Sequence, residues 1–251
     1  MTNPPRIALI TGSGRGIGAA TARLLAQRGY DLCINYHQRH EPADMLATEL
    51  RTLGRRVITV RADVSTEDGV QLLFREIDQQ LGVIQALVNN AAILLPQCRV
   101  TEMDAERINR LFTVNVTSCF LCCREAIKRM GTAYGGSGGA IVNVSSAAAR
   151  LGSPHEYIDY AATKGAIDTL TKGLALEVAD QGIRVNAVRP GFIDTDMHAD
   201  GGEPNRIDRI RPSIPLKRGG TPAEVAAAIA WLLSDEASYV TGSFTEVAGG
   251  R

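Results

Sequence analysis

The feature that most constrains this chain is its rhythm: short apolar runs rich in β-branched residues alternate with segments of helical period along its length. Residues 6–11 read as a buried strand, followed by glycines and a helix over 17–28 that Gly29 stops. The same reading gives a strand at 31–35 and a helix at about 42–53, then a strand at 57–61 and a helix at 66–81. A strand at 86–89 follows, then a short helix near 104–111 and a long one at about 113–130. The last third gives strands at 140–144, 184–188 and 243–247, with helices at 157–180 and 221–234. Strict alternation implies an α/β chain whose parallel sheet is covered on both faces through right-handed crossovers. Continuous apolar strands fit a sheet buried on both sides. No Pro- or Ser-rich linker divides residues 1–251, so one doubly wound domain is expected. The excursion at about 192–220, rich in Gly, Pro, Asp and Arg, breaks the alternation, as a lid or binding loop does.

Composition narrows the partners. Lys+Arg and Asp+Glu both number 27, so no global field recruits nucleic acid or an anionic membrane. No apolar run is long enough to span a bilayer, and the N-terminus, MTNPPRIALITG, carries no signal-peptide core. These point to a cytoplasmic protein. Cys119 and Cys122 form a CxxC, but in the middle of the apolar run LFTVNVTSCFLCC, with no second pair or histidines to complete a zinc site. They read as small apolar residues of a buried helix. His37 and His40 read as part of a polar turn, so no metal is expected.

Chemistry concentrates after the strands. The turn Thr11-Gly12-Ser13-Gly14-Arg15-Gly16-Ile17-Gly18 joins the first strand to the first helix. Glycines there let backbone N–H groups approach a pyrophosphate at the positive end of a helix. The spacing fits TGxxxGxG better than GxGxxA, and a purely structural tight turn is the bland alternative. A dinucleotide site usually places an acid at the end of the second strand, on the ribose 2′-hydroxyl. Here that strand ends Asn35-Tyr36-His37-Gln38-Arg39. An uncharged or basic rim, with Arg15 as a second cation, tolerates a 2′-phosphate; NADP is therefore expected over NAD, unless Arg15 and Arg39 are simply solvated.

Tyr160 and Lys164 are spaced i, i+4 at the start of a long helix. A nearby ammonium would lower a phenol pKa from its usual value near 10 and suit it to acid/base work. Alone, such a pair is commonly a surface contact. The strand before it ends in Ser145-Ser146, where a hydroxyl can donate to a carbonyl oxygen. A nucleophilic serine would need a GxSxG elbow, and NVSSAAA lacks one.

Together these motifs resemble the short-chain dehydrogenase/reductase family over essentially the whole chain. They are the turn at Thr11–Gly18, Asp63-Val64, Asn89-Asn90-Ala91-Ala92, Asn115, Ser146, Tyr160 with Lys164, Pro190-Gly191 leading to Thr195, and the ending Tyr239–Gly242 through Gly249-Gly250. Among its members the chain is most similar to glucose 1-dehydrogenase and 3-oxoacyl-carrier-protein reductase. The resemblance implies a single-domain Rossmann fold of about seven strands and hydride transfer at a carbonyl or secondary alcohol. It implies that Tyr160 is the general acid/base and that Lys164 holds the nicotinamide ribose and lowers the tyrosine pKa. Ser146 would orient the substrate oxygen, and Asn115 would hold a water that relays protons to Lys164. Gly12, Arg15 and Ile17 would meet the cofactor phosphates, Asp63 and Val64 the adenine, Asn89 the adenosine ribose side, and Ile193 with Thr195 the carboxamide. It also implies a homotetramer paired through the two long helices.

Two departures stand out. Ala92 replaces the family's usual glycine, and Ser146 precedes Tyr160 by fourteen residues rather than thirteen, which leaves Ser145 as a rival. Asn115 has a bland alternative too, a polar residue buried against backbone. A non-catalytic nucleotide sensor on the same fold would show a damaged Ser–Tyr–Lys set, and here the set is intact. Substrate identity is expected to lie in residues 192–215 and 94–100 with His155 and Glu156.

Overall fold

The computed structural model describes residues 5–251, so the part of the N-terminal reading that concerns residues 1–4 lies outside it. The described residues form seven strands: β1 (Ile7–Ile10), β2 (Asp31–Tyr36), β3 (Val57–Arg61), β4 (Ala86–Asn89), β5 (Gly139–Val144), β6 (Ile183–Pro190) and β7 (Phe244–Val247). They form one parallel sheet in the order β3-β2-β1-β4-β5-β6-β7. Helices α1 (Gly16–Gln27), α2 (His40–Arg51), α3 (Glu67–Gln80), α4 (Ala105–Phe112), α5 (Ser118–Met130) and α6 (Ala148–Leu151) lie between the first strands. The long α7 (Ile158–Glu177) precedes β6; α8 (Met197–Asp200), α9 (Arg206–Ile210) and α10 (Pro222–Leu233) follow it.

Alternate side chains on each strand feed two cores. Ala8 and Ile10 of β1 pack with Ala22 and Leu25 of α1 and Val225 and Ile229 of α10. Ile7 and Leu9 pack on the other face with Phe74 and Ile77 of α3, Cys122 of α5 and Ile167 of α7. Local chemistry sets the helix ends. Thr66 accepts from Gly69 N–H to start α3, and Thr221 with Glu224 forms a reciprocal cap on α10, where Pro222 fits the first turn.

Strand order reverses between β1 and β4, which opens a crevice beyond the carboxyl ends of the strands. The excursion is closed at its base by Ile193 pairing with Gly220, and it carries α8 and α9, neither legible as helix in the sequence. The expected single helix over 113–130 is a second difference: it opens with a π-helical turn, Thr113–Thr117, before α5. That local widening carries Asn115. β6 runs two residues beyond the expected strand because Pro190 pairs with Val247 of β7, and this brings Pro190 to the crevice.

Candidate active site

The glycine turn is held from three sides. Gly12 and Gly16 have φ of 60° and 56°, left-handed values that a Cβ would strain. Gly12 N–H donates to Asn35 Oδ1, while Asn90 Nδ2 donates to the carbonyls of Thr11 and Gly12. Thr11 Oγ1 in turn accepts from the N–H groups of Asn90 and Ala91. No side chain caps α1, so its first N–H groups are left for an anion. A Cβ on Gly18 would lie 2.7 Å from both Asn90 Nδ2 and Ser13 Cα, so only glycine lets helix and turn approach this closely. These features fit a dinucleotide pyrophosphate. Asn35 and Asn90 carry no role in the sequence reading, although asparagines beside a glycine turn are a usable signal.

The rim after β2 is less open than expected. Tyr36 is buried, and its hydroxyl lies 2.6 Å from His40 Nδ1. His37 Nε2 lies 3.8 Å from Asp63 Oδ2. Arg15 pairs with Asp200 and, at 3.3 Å, with Asp196; Arg39 lies 3.6 Å from the same Asp200. Carboxylates from the excursion hold Arg15, whereas Arg39 stays largely exposed beside Asp200. Asp63 Oδ1 accepts from the N–H and hydroxyl of Ser65, and Val64 is buried beside it.

Asn89 Nδ2 donates to Asn143 Oδ1 at 2.9 Å and to Cys123 Sγ at 3.2 Å, which ties the end of β4 to β5 and α5. Asn115 is anchored on its neighbours. Its carboxamide bonds both backbone groups of Ile93, at 2.8 and 3.0 Å, and Thr163 Oγ1 at 3.3 Å. Both amide hydrogens are taken, while Oδ1 keeps a second lone pair, and Asn115 lines one small cavity with Lys164.

Ser146, Tyr160 and Lys164 converge on one cleft with Ile17, Asn90, Pro190, Gly191, Ile193 and Thr195. Ser146 Oγ accepts from Ala148 N–H at 3.1 Å, which leaves its hydroxyl proton free to donate. The rival Ser145 is 2% exposed and donates to Asp168 Oδ1 at 2.6 Å, so its proton is committed. Asp159 fixes the start of α7: it accepts from Tyr160 N–H at 2.8 Å and from Arg107 Nε at 2.7 Å.

Electrostatics overturns one expectation. Tyr160 is pushed up to about 12, because desolvation outweighs the lowering by the Ser146 hydroxyl and by the Arg206 charge. Lys164 Nζ donates to Val144 O at 2.8 Å and sits 5.5 Å from the Tyr160 ring centre. It does not lower the phenol. Burial brings Lys164 itself down to about 8, against the opposing pull of Cys119 and Asp168.

Cys33, Cys119, Cys122 and Cys123 are buried free thiols, and burial pushes Cys122 up. Among the described residues no group of three or more His, Cys, Asp or Glu is arranged to hold a metal. Nor is any described helix long and apolar enough to cross a membrane.

Residues 12–251 match the family described as enoyl-(acyl carrier protein) reductase. The chain belongs to the short-chain dehydrogenase/reductase family, and it is an oxidoreductase of the kind that acts on CH–OH groups with a nicotinamide cofactor. It is 61% identical to the uncharacterized oxidoreductase YgfF of Escherichia coli (strain K12), over 98% of this chain and 99% of that one. It is 37% identical to glucose 1-dehydrogenase 2 of Bacillus subtilis (strain 168), over 98% and 94%. Among solved structures, a blue fluorescent protein from a metagenomic library in complex with NADPH superposes with a TM-score of 0.89 at 33% identity, over 98% and 97%.

Proposed function

We propose that this chain is an NADP-dependent carbonyl reductase or alcohol dehydrogenase in which Tyr160 is the general acid in reduction and the base in oxidation. The observation that carries the reading is the single cleft that Ser146, Tyr160 and Lys164 share with Ile17 of the glycine turn. The bound nicotinamide supplies or accepts the hydride. Ser146 donates its hydroxyl proton to the substrate oxygen and fixes it beside the phenol. With a pKa near 12, Tyr160 is a protonated acid at neutral pH and gives its proton to the oxygen as the carbonyl carbon is reduced. Lys164, buried on Val144 O, holds the nicotinamide ribose, and Ile193 with Thr195 faces the carboxamide.

The end of β2 without a carboxylate, and the arginines at positions 15 and 39, support NADP over NAD. A 2′-phosphate would compete with Asp196 and Asp200 for Arg15. The chain works as one nucleotide-binding domain over residues 1–251. Free cysteines suit a cytoplasmic setting. Exposed Phe120 on α5 and Leu176 on α7 support a homotetramer.

Aldehydes, ketones, sugars and 3-oxoacyl thioesters assayed with NADPH and with NADH separately test the reading. Turnover with NADPH well above NADH is expected. A strong NADH preference refutes the cofactor assignment, and no turnover of any carbonyl or alcohol refutes the activity.

A further inference from the structure

Tyr160 stands in the first turn of α7, where main-chain N–H groups have no partner inside the helix. Tyr157, the residue at the helix start, makes no side-chain cap. Asp159 takes that part from within the turn. Its Oδ1 accepts the N–H of Tyr160 at 2.8 Å, and a carboxylate here also suits the positive end of the helix. The carbonyl of Tyr160 is bonded as well, by the Thr163 hydroxyl at 2.7 Å, and Thr163 in turn accepts from Asn115 at 3.3 Å. Side chains therefore hold the main chain of Tyr160 on both sides of its Cα.

Arg107 of α4 comes from fifty-two residues away to fix the carboxylate. Its Nε donates to Asp159 Oδ2 at 2.7 Å, and the two side chains are 16% and 2% exposed. Arg107 Nη2 is buried without an acceptor, and Asp159 is the one carboxylate paired with this guanidinium among the described residues. So buried a pair is a poor source of stability, because apolar residues of similar size commonly replace such pairs without loss. What it supplies is direction. One carboxylate oxygen grips the turn that carries the phenol and the other grips α4, which sets the height and rotation of that turn. Neither Arg107 nor Asp159 lines the cleft, so they act on chemistry only through Tyr160.

We propose that Arg107 and Asp159 are positioning residues for the proton transfer: they hold the first turn of α7 where the Tyr160 phenol meets the substrate oxygen beside Ser146. This rests on the reading of Tyr160 as the proton donor. A misplacement of about 1 Å costs about a hundredfold in rate, so a small movement of one turn is enough.

The test is a double-mutant cycle in single-turnover reduction on the full chain. It uses NADPH and the carbonyl that turns over fastest among the aldehydes, ketones, sugars and 3-oxoacyl thioesters above. Asp159→Ala is expected to slow hydride transfer by about ten- to a hundredfold, with NADPH affinity within about twofold. In the Tyr160→Phe background, where there is no phenol to misplace, the same change is expected to slow it by less than about threefold. Asp159→Asn has one oxygen for two donors, so it gives up either Tyr160 N–H or Arg107 and falls in between. Arg107→Lys, which keeps a cation facing Oδ2, retains most of the rate that Arg107→Met loses. Should Asp159→Ala strand Arg107 as a buried cation and fail to fold, Asp159→Ala combined with Arg107→Met removes both charges and enters the same cycle. Equal slowing with and without the phenol, or undiminished rates in both Asp159→Ala and Arg107→Met, overturns the proposal and leaves Tyr160 as the acid. An undiminished rate in Tyr160→Phe alone overturns the reading of Tyr160, and the positioning role with it.

Discussion

Adjacent serines that end the same strand should fail in opposite ways when truncated. Ser145 donates to the half-buried Asp168 at 2.6 Å, and Asp168 keeps a second hold on Arg189 at 2.8 and 3.0 Å. A hydrogen bond to a charged group contributes about 1.5–3 kcal/mol, and the remaining arginine places Ser145→Ala at the low end, about 1.5 kcal/mol. For a chain of this size that lowers Tm by about 3–6 °C. Ser146 instead accepts one N–H at the start of the four-residue α6, so Ser146→Ala should cost about 0.5 kcal/mol. Its loss is catalytic. Removing one donor aimed at a developing oxyanion lowers kcat by about 10²–10³. Thermal unfolding and initial rates on both variants give a crossed pattern: Ser145→Ala less stable and active, Ser146→Ala stable and nearly inactive. The reverse pattern would refute the assignment of the two hydroxyls.

Three further outcomes follow from the same geometry. Asp200→Asn removes the carboxylate shared by Arg15 and Arg39, leaving Arg15 only its contact with Asp196, and should lower KM for NADPH by up to about fivefold, less at high salt, with KM for NADH unmoved; an equal change for both cofactors contradicts the rim assignment. Because Tyr160 stands near 12, its phenolate is only about one part in 10⁴ at pH 8 and grows tenfold per pH unit. Alcohol oxidation should therefore climb from pH 7 to 10 while reduction does not, and a flat oxidation profile refutes it. Of the five cysteines, only Cys98 is incompletely buried, so a thiol titration should find one reactive group in the folded protein and five in denaturant. Two or more fast thiols would contradict the packing of α5.

The alternation of strand and helix carried the architecture because periodicity is local. β3 and β4 coincide with the runs read from the sequence, and Thr66 and Thr221 cap helices where the apolar pattern begins. The position of Ser146, Tyr160 and Lys164 was legible for a related reason: strand ends and the i, i+4 spacing fix direction before any packing is known. What escaped depends on contacts across long stretches of chain. Arg206 reaches Glu156 fifty residues away, and Arg15 reaches Asp200 across 185, so neither the pocket wall nor the tied rim follows from local pattern. The spacing likewise gave no sign that the carboxamide of Asn115 is anchored on the backbone of Ile93, twenty-two residues away. The phenol pKa was misjudged because spacing shows the neighbouring charge and not the desolvation that outweighs it.

The measurement that bears most directly on the central claim is single-turnover reduction of a ketone by Tyr160→Phe with NADPH bound. Phenylalanine keeps the ring and removes only the acid. The hydride-transfer rate is expected to fall by about 10²–10⁴ while NADPH affinity, followed by fluorescence titration, stays within about twofold. An undiminished rate would contradict Tyr160 as the proton donor.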